Sequence, residues 1–203
     1  MKKEEKTELT KSRILEAAMS EFGTRGYAAG SVNHICKTGI NKGLVYHNFK
    51  DKDELYLVCV KKSCDDLLDY VIRQKADDSF IKYMSMRKRF FQENEQEAYL
   101  FLEARTNPPR HLADRIRELF VKVDELNMEV CEKELSRYEL RTGVSKEDAL
   151  HYFSGIQKLY NLSFMDWSDT QMSAREKLDL HEMNIHKMFD LMLYGIAKGG
   201  NEK

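Results

Sequence analysis

The 203-residue sequence contains only two prolines, which lie side by side at Pro108 and Pro109, and ten glycines. Because proline and glycine interrupt helices, the long stretches between them are free to be helical. No apolar run approaches the roughly 20 residues of a membrane-spanning helix, and the first residues lack the apolar stretch of a signal peptide. These absences predict a folded cytoplasmic protein with no membrane partner.

Patterns that carry catalytic chemistry are also scarce. The four cysteines, Cys36, Cys59, Cys64 and Cys131, form no Cys-x-x-Cys pair and have no regular spacing with histidine, which argues against a zinc site or a disulfide framework. The sequence has no Gly-x-Ser-x-Gly motif, phosphate-binding loop or dinucleotide fingerprint. We therefore predict a protein that is not an enzyme and has no cofactor or metal, in which the cysteines are small apolar residues.

A metal enzyme built on a helical bundle is the main alternative. Di-iron bundles use Glu-x-x-His on two helices, and this chain offers only Asp148-x-x-His151 and Glu182-x-x-x-His186 as partial matches. A helical interaction module that binds no DNA is the second alternative. It does not explain the charge distribution, because residues 1–52 hold ten Lys and Arg against six Asp and Glu, whereas residues 53–203 hold 23 against 28. A basic N-terminal segment predicts an anionic partner there.

Apolar residues recur at spacings of three and four, with little of the alternation typical of strands. This periodicity predicts an all-α protein of about nine helices. The first runs from Thr10 to about Thr24, with Gly26 past its end. The most regular amphipathic pattern extends from His111 to Arg141 and predicts one long helix that Gly143 closes.

The last two predicted helices, which follow Ser145 and Ser173, are apolar on two opposite faces. The second apolar face carries Tyr152, Gly155, Leu159 and Leu162 on the first of them, and Leu180, Met183, Leu191 and Tyr194 on the other. Helices with two apolar faces need two partners. One face can serve the core and the other predicts a homodimer, unless both faces are buried within one chain.

A helix-turn-helix pattern occupies residues 31–49, SVNHICKTGINKGLVYHNF. Ser31 and Asn41 are predicted to cap two short helices, Gly39 to form a left-handed turn between them, and Asp51 to cap the helix that follows. In such a motif the second helix enters the major groove of DNA. Charged and polar side chains that suit phosphates and bases cluster here, namely Lys37, Lys42, Lys50, Lys52, Asn41, Tyr46, His47 and Asn48.

The segments ILEAAMSEFGTRGY, SVNHIC and GINKGLVYHNFKDKDEL resemble the signature of the tetracycline-repressor (TetR) family of transcriptional regulators. The likeness covers about residues 10–56, with these anchors in order: Ile14, Ala17, Ala18, Phe22, Gly26, Tyr27, Val32, Ile35, Gly39, Gly43, Tyr46, Phe49 and Lys52. Three features depart from the family pattern. The turn from Ile35 to Gly39 is one residue shorter than usual, Leu44 replaces a frequent threonine, and Cys36 replaces a common alanine.

The resemblance implies a DNA-binding domain of three helices over residues 1–52 and a helical effector-binding and dimerisation domain over residues 53–203. It implies a ligand-responsive regulator, a repressor, that binds a palindromic operator as a homodimer and is released by a small-molecule effector. The implied operator contacts are Ser31, Lys42, Gly43, Leu44, Tyr46, His47 and Lys52. Taken singly, Tyr46 could instead be a half-buried core aromatic, His47 a solvent residue and the lysines an ordinary solvated surface.

The resemblance also implies an effector cavity between the middle helices of the body. Large, adaptable or amphipathic side chains in the appropriate segments are candidates to line it: Tyr83, Met84, Met86, Phe90, Phe101, Met128, Tyr160, Phe164 and Trp167. Arg105 and His151 are the polar candidates, because a buried charge needs a partner that a ligand could supply. Ordinary core packing is the alternative for each of the apolar residues.

Overall fold

A computed structural model describes residues 3–75, 79–163 and 174–194. In this part of the chain there are ten α-helices, one 3₁₀ turn and no strands, which confirms the all-α prediction. The helices are α1 (Lys3–Ala29), α2 (Val32–Cys36), α3 (Lys42–Asn48), α4 (Lys52–Arg73), α5 (Phe80–Glu93), α6 (Glu95–Thr106), α7 (Ala113–Leu119), α8 (Val121–Leu135), α9 (Lys146–Ser163) and α10 (Ala174–Tyr194), and the 3₁₀ turn spans Arg110–Leu112. We refer to α1–α3 as the head and to α4–α10 as the body.

The short helices of the head begin at the capping residues expected from the sequence. The side chain of Ser31 accepts the backbone N–H of His34, and that of Asn41 accepts the N–H of Gly43. Asp51 caps α4 in the same way, and each such cap stabilises a helix by about 1 kcal/mol. Between α2 and α3, Gly39 has a φ of 89°, the left-handed conformation predicted for it.

Helix α1 begins at Lys3, earlier than the predicted Thr10, and is interrupted at Gly26, where φ is 68° and ψ is 177°. Its buried side chains, which include Ile14, Ala18, Met19 and Phe22, belong to the main core. The helix packs on α6 and α4, and the Phe22 ring meets the Tyr56 ring of α4 edge to face, with centroids 5.2 Å apart. The first helix of the head therefore lies directly against two helices of the body.

The single long helix predicted for residues 111–141 is wrong. A break at Phe120, where ψ is −8°, divides the segment into α7 and α8. The Phe120 side chain is only 1% exposed, its ring lies edge to face on Phe101 with centroids 4.8 Å apart, and the Arg105 guanidinium covers it. Packing against α6 thus interrupts a segment whose apolar spacing is otherwise continuous.

Aromatic rings join the body helices. Phe80 of α5 stacks on Phe189 of α10 with centroids 3.7 Å apart, and Phe153 of α9 meets both rings edge to face.

The four cysteines are free thiols, and burial raises the pKa of Cys59, Cys64 and Cys131 to about 12. These three cysteines therefore stay protonated and pack as small apolar side chains.

The second apolar face of the last two helices is exposed in a single chain. Leu159 is 66% exposed and Met183 55%, while Phe153 and Phe189 on the opposite faces are buried. Tyr152 and Tyr194 border a groove of about 1100 Å³ between the end of α8, α9 and α10.

Within the described residues, none of the helices is both long and apolar enough to cross a bilayer.

Candidate nucleic-acid interface

Helix α3 is anchored by one inward side chain and exposes most of the others. Val45 is 1% exposed and lies in the core, followed by the buried Phe49 just after the helix. The neighbouring Leu44 and Tyr46 are 45% and 48% exposed. The structure therefore places the Tyr46 ring about half exposed at the surface, outside the main core of the described residues.

The other predicted contact residues of α3 form a polar surface with its neighbours. Lys42 and His47 are exposed, and Lys42 Nζ donates to Asn33 Oδ1 of α2 at 3.0 Å. The same ammonium lies 5.9 Å from the centroid of the Tyr46 ring. The backbone N–H of Gly43 donates to Asn41 Oδ1 at 2.7 Å, and this hydrogen bond fixes the backbone at the N-terminus of α3.

Ser31 and Lys52 flank this surface at the starts of α2 and α4. The Ser31 hydroxyl caps α2, so it has a structural role in addition to the predicted one. Lys52 Nζ lies 4.2 Å from the centroid of the Tyr27 ring, within the range of a cation–π interaction. This contact holds the ammonium close to the end of α1.

A hydrogen-bonded cluster joins this corner of the head to the loop before α7. The Tyr27 hydroxyl donates to Asp53 Oδ1 at 2.5 Å, and His111 Nε2 lies 2.9 Å from Asp53 Oδ2. The hydrogen bond from Tyr27, together with the contribution of His111, lowers the pKa of Asp53, while burial and the Asp53 carboxylate raise the pKa of Tyr27 to about 12. At neutral pH, Asp53 is therefore the ionised acceptor and Tyr27 the neutral donor.

A second connection, which we call the Glu103 anchor, consists of the Glu103 carboxylate of α6, the backbone N–H of Tyr27 and the hydroxyl of Tyr56. The N–H of Tyr27 donates to both carboxylate oxygens, at 2.9 and 3.2 Å, and the Tyr56 hydroxyl donates to Oε2 at 3.1 Å. The break at Gly26 frees this N–H from the helix ladder. Sequence reasoning missed Glu103, because 76 positions separate it from Tyr27 and no local pattern marks it.

The residues predicted to line an effector cavity occupy different environments. Tyr83, Met84, Phe90 and Phe101 are buried, Met86 and Met128 are partly buried, and His151 is exposed. Arg105 forms a bidentate ion pair with Asp124. Phe164, Trp167 and the side chain of Tyr160 lie outside the described residues. Over the described ranges, no three His, Cys, Asp or Glu side chains group as metal ligands would.

The head matches a known family. The model of "Bacterial regulatory proteins, tetR family" matches residues 14–59, which span the buried part of α1, both short helices and the start of α4. The chain belongs to this family. The biofilm operon icaADBC HTH-type negative transcriptional regulator IcaR of Staphylococcus epidermidis is 23% identical over 145 residues, covering 70% of this chain and 76% of that protein.

Solved structures of regulators share the fold over nearly the whole chain. The transcriptional regulator FadR of Bacillus subtilis, in complex with stearoyl-CoA, has a TM-score of 0.64 at 15% identity and covers 92% of this chain and 99% of its own. The TetR-family regulator PfmR of Thermus thermophilus has a TM-score of 0.60 at 21% identity, covering 92% and 100%. These likenesses show the shared fold, and within it α2 and α3 form the helix-turn-helix of the head that the family model matches.

Proposed function

We propose that this TetR-family regulator is a repressor that binds a palindromic operator as a homodimer and is released by a small-molecule effector. The observation that supports operator binding most directly is the exposure of the side chains of α3. This helix buries Val45 yet exposes Lys42, Leu44, Tyr46 and His47 beside one another. An exposed helix of this kind is what a helix-turn-helix protein inserts into the major groove.

The proposed contacts divide into two groups. Lys42, Tyr46 and Lys52 position the head on phosphates, whereas Leu44 and His47 contact base edges, where an apolar side chain can meet a thymine methyl group. The Ser31 hydroxyl, which accepts the His34 N–H, can still donate to DNA at the start of α2. Gly43, whose N–H is held by Asn41, has no side chain and lets DNA approach the start of α3 closely. The excess of basic residues in the head supports this assignment, because phosphate contacts dominate the affinity of proteins for DNA.

Replacing Lys52 or Tyr46 with alanine is expected to weaken operator binding by about tenfold or more, because each change removes a phosphate contact from both half-sites. For K52A, the slope of log affinity against log salt should fall by about one unit per half-site. The measurement is fluorescence anisotropy with an operator duplex selected from genomic DNA, at several salt concentrations.

The matched control for that experiment is Lys122→Ala, which removes an exposed lysine from α8 in the body. It should leave both the affinity and the salt slope unchanged. Circular dichroism checks that each variant is folded. If the Lys52 and Tyr46 variants bind the operator as tightly as the unaltered protein, the proposed phosphate contacts are wrong.

Effector release is supported by the form of α4. This helix begins beside the head at Lys52 and continues for 22 residues into the body, where Leu67 and Val71 are buried. A rigid helix shared by both parts can convert a shift in the body into a change in the spacing of two recognition helices. The stearoyl-CoA bound to the similarly folded FadR shows that this fold can hold a small molecule.

If α4 couples the two sites, effector and operator should oppose each other by the same factor in both directions, typically 5- to 150-fold. The test is to find a ligand by thermal-shift screening and then to titrate it into the free protein and into the operator complex. Equal ligand affinity in both titrations would show that binding in the body does not regulate the head.

A further inference from the structure

A cavity of about 420 Å³ opens between α4, the end of α5 and the start of α6. Two carboxylates, Asp66 and Glu97, and two aromatic rings, Tyr70 and Phe90, line it. Its volume lies in the lower part of the range typical of small-molecule sites. The mixture of negative charge and aromatic surface limits what the cavity can bind.

One oxygen of the partly buried Glu97 carboxylate lacks a partner that its burial would require. Glu97 Oε2 is shielded from solvent, and no group in the described parts of the chain donates a hydrogen bond to it. Burial and, to a lesser extent, the charge of Asp66 raise the pKa of Glu97 to about 7, against the opposing effect of Lys62. Buried charges in proteins are normally paired, so a cationic donor in the cavity would satisfy the Glu97 carboxylate once its side chain turns this oxygen toward the cavity.

Two basic side chains, Lys62 beside the cavity and Arg73 in its lining, pair with carboxylates other than Glu97. Lys62 Nζ lies 2.5 Å from Asp66 Oδ2. Arg73 lies 3.6 Å from Asp69 Oδ2 and donates to the Asp69 carbonyl oxygen at 3.2 Å. Lys62 pairs with Asp66 and Arg73 pairs with Asp69, and neither basic side chain lies within salt-bridge distance of Glu97.

The aromatic pair supplies the second half of a cation site. The Tyr70 and Phe90 rings lie 5.5 Å apart between centroids, tilted by 52°. Aromatic faces attract organic cations, and a neighbouring carboxylate adds a direct ion pair. A metal ion fits less well, because the described residues around the cavity offer only two carboxylates, one of them already paired with Lys62.

We propose that this cavity binds a small organic cation, an ammonium or amidinium on an apolar group, with the cationic nitrogen on Glu97 and the apolar group on Tyr70 and Phe90. The proposal deepens the proposed function by giving a site and a chemical class for the effector, and only its regulatory consequence rests on that function. The cavity lies on α4, the helix that begins at Lys52 in the DNA-facing corner of the protein.

The binding test uses the full chain without DNA and three cationic probes, phenethylamine, tryptamine and benzamidine. Their anionic counterparts, phenylpropionate, indole-3-propionate and benzoate, are the matched ligands of opposite charge. Isothermal titration calorimetry at pH 7.5 should show saturable binding of at least one cation, at least tenfold tighter than its anionic counterpart. If every cation binds no better than its counterpart, the proposal is overturned.

Two further readouts assign the binding to Glu97. Because an ionised Glu97 with a pKa of about 7 binds the cation, affinity should rise about tenfold between pH 6 and pH 8. Asp66, Lys62 and Arg73 are the other charged groups around this carboxylate. Glu97→Gln should lower the affinity for the cation at least tenfold and make it nearly independent of pH. The control is Glu93→Gln, which alters an exposed carboxylate paired with Arg89 and should change neither the affinity nor its pH dependence.

Unaltered cation affinity in a folded Glu97→Gln variant would overturn the proposed site. The regulatory consequence is measured separately, by adding the binding cation to the operator complex. Release of the operator supports the cation as the effector. Persistence of the complex alongside Glu97-dependent binding would contradict regulation through this cavity while leaving the binding site itself established.

Discussion

Replacing Leu159 and Leu191 together with glutamate is expected to convert the protein from a dimer to a monomer and to abolish operator binding. Leu159 is 66% and Leu191 37% exposed on the second apolar face of α9 and α10. In a twofold dimer built on this face, the two substitutions would bury four unpaired carboxylates. Sedimentation velocity at micromolar concentration should show two chains for the unaltered protein and one for the variant.

The loss of DNA binding follows from the loss of the second head, since each half-site then binds alone. The matched control is Ile81→Glu with Val121→Glu, because these apolar residues are 61% and 46% exposed but lie on α5 and α8. The control should remain dimeric and bind the operator. A monomeric unaltered protein, or a dimeric L159E/L191E variant, would refute the proposed interface.

Gly26→Ala is expected to destabilise the protein by about 3 kcal/mol or more. A φ of 68° with a ψ of 177° is a region that essentially only glycine occupies, and forcing alanine into it costs about 1–3 kcal/mol. A Cβ at this position would also overlap Oε1 of Glu103 and would disturb the Glu103 anchor. The measurement is the urea midpoint of unfolding, converted with the slope of the same transition.

Two other glycines provide the control for Gly26. Gly39 and Gly143 also have positive φ angles, of 89° and 85°, but no atom of the described residues lies within 4 Å of a Cβ built on either. Gly39→Ala and Gly143→Ala should therefore cost only the backbone strain, about 1–2 kcal/mol. If Gly26→Ala costs no more than these, the Glu103 carboxylate does not restrict the position.

A double-mutant cycle with Glu103→Ala separates the two contributions at Gly26. In the Glu103→Ala background the overlap is absent, so Gly26→Ala should cost about 1 kcal/mol less than in the unaltered protein. An equal cost in both backgrounds would assign the whole effect to the backbone.

Local features of the head could be predicted because the chemistry that determines them is local. A serine, asparagine or aspartate before a short apolar segment caps a helix through its own side chain, as Ser31, Asn41 and Asp51 do. The two apolar faces of α9 and α10 were visible for a similar reason, since helical periodicity maps sequence positions onto faces.

Features that depend on distant contacts could not be predicted. The apolar spacing of residues 111–141 continues through Phe120 without glycine or proline, and only the packing of this ring against Phe101 reveals the break. The Glu103 anchor and the cavity at Glu97 likewise depend on how α6 lies against α1 and α4. A single sequence carries no signal for such juxtapositions.

The Glu103 anchor also bears on the construction of chimeric regulators. A hybrid that joins residues 1–52 to the body of another regulator would keep Gly26 and Tyr27 but lose the carboxylate that accepts the Tyr27 N–H. Because this N–H is partly buried and a fully buried unsatisfied N–H costs about 1–3 kcal/mol, the transplanted head would be less stable by up to that amount unless the recipient supplies an acidic side chain at that point on its α6. The portable unit for exchanging operator specificity is therefore α2 and α3 alone, grafted between a native α1 and a native α4.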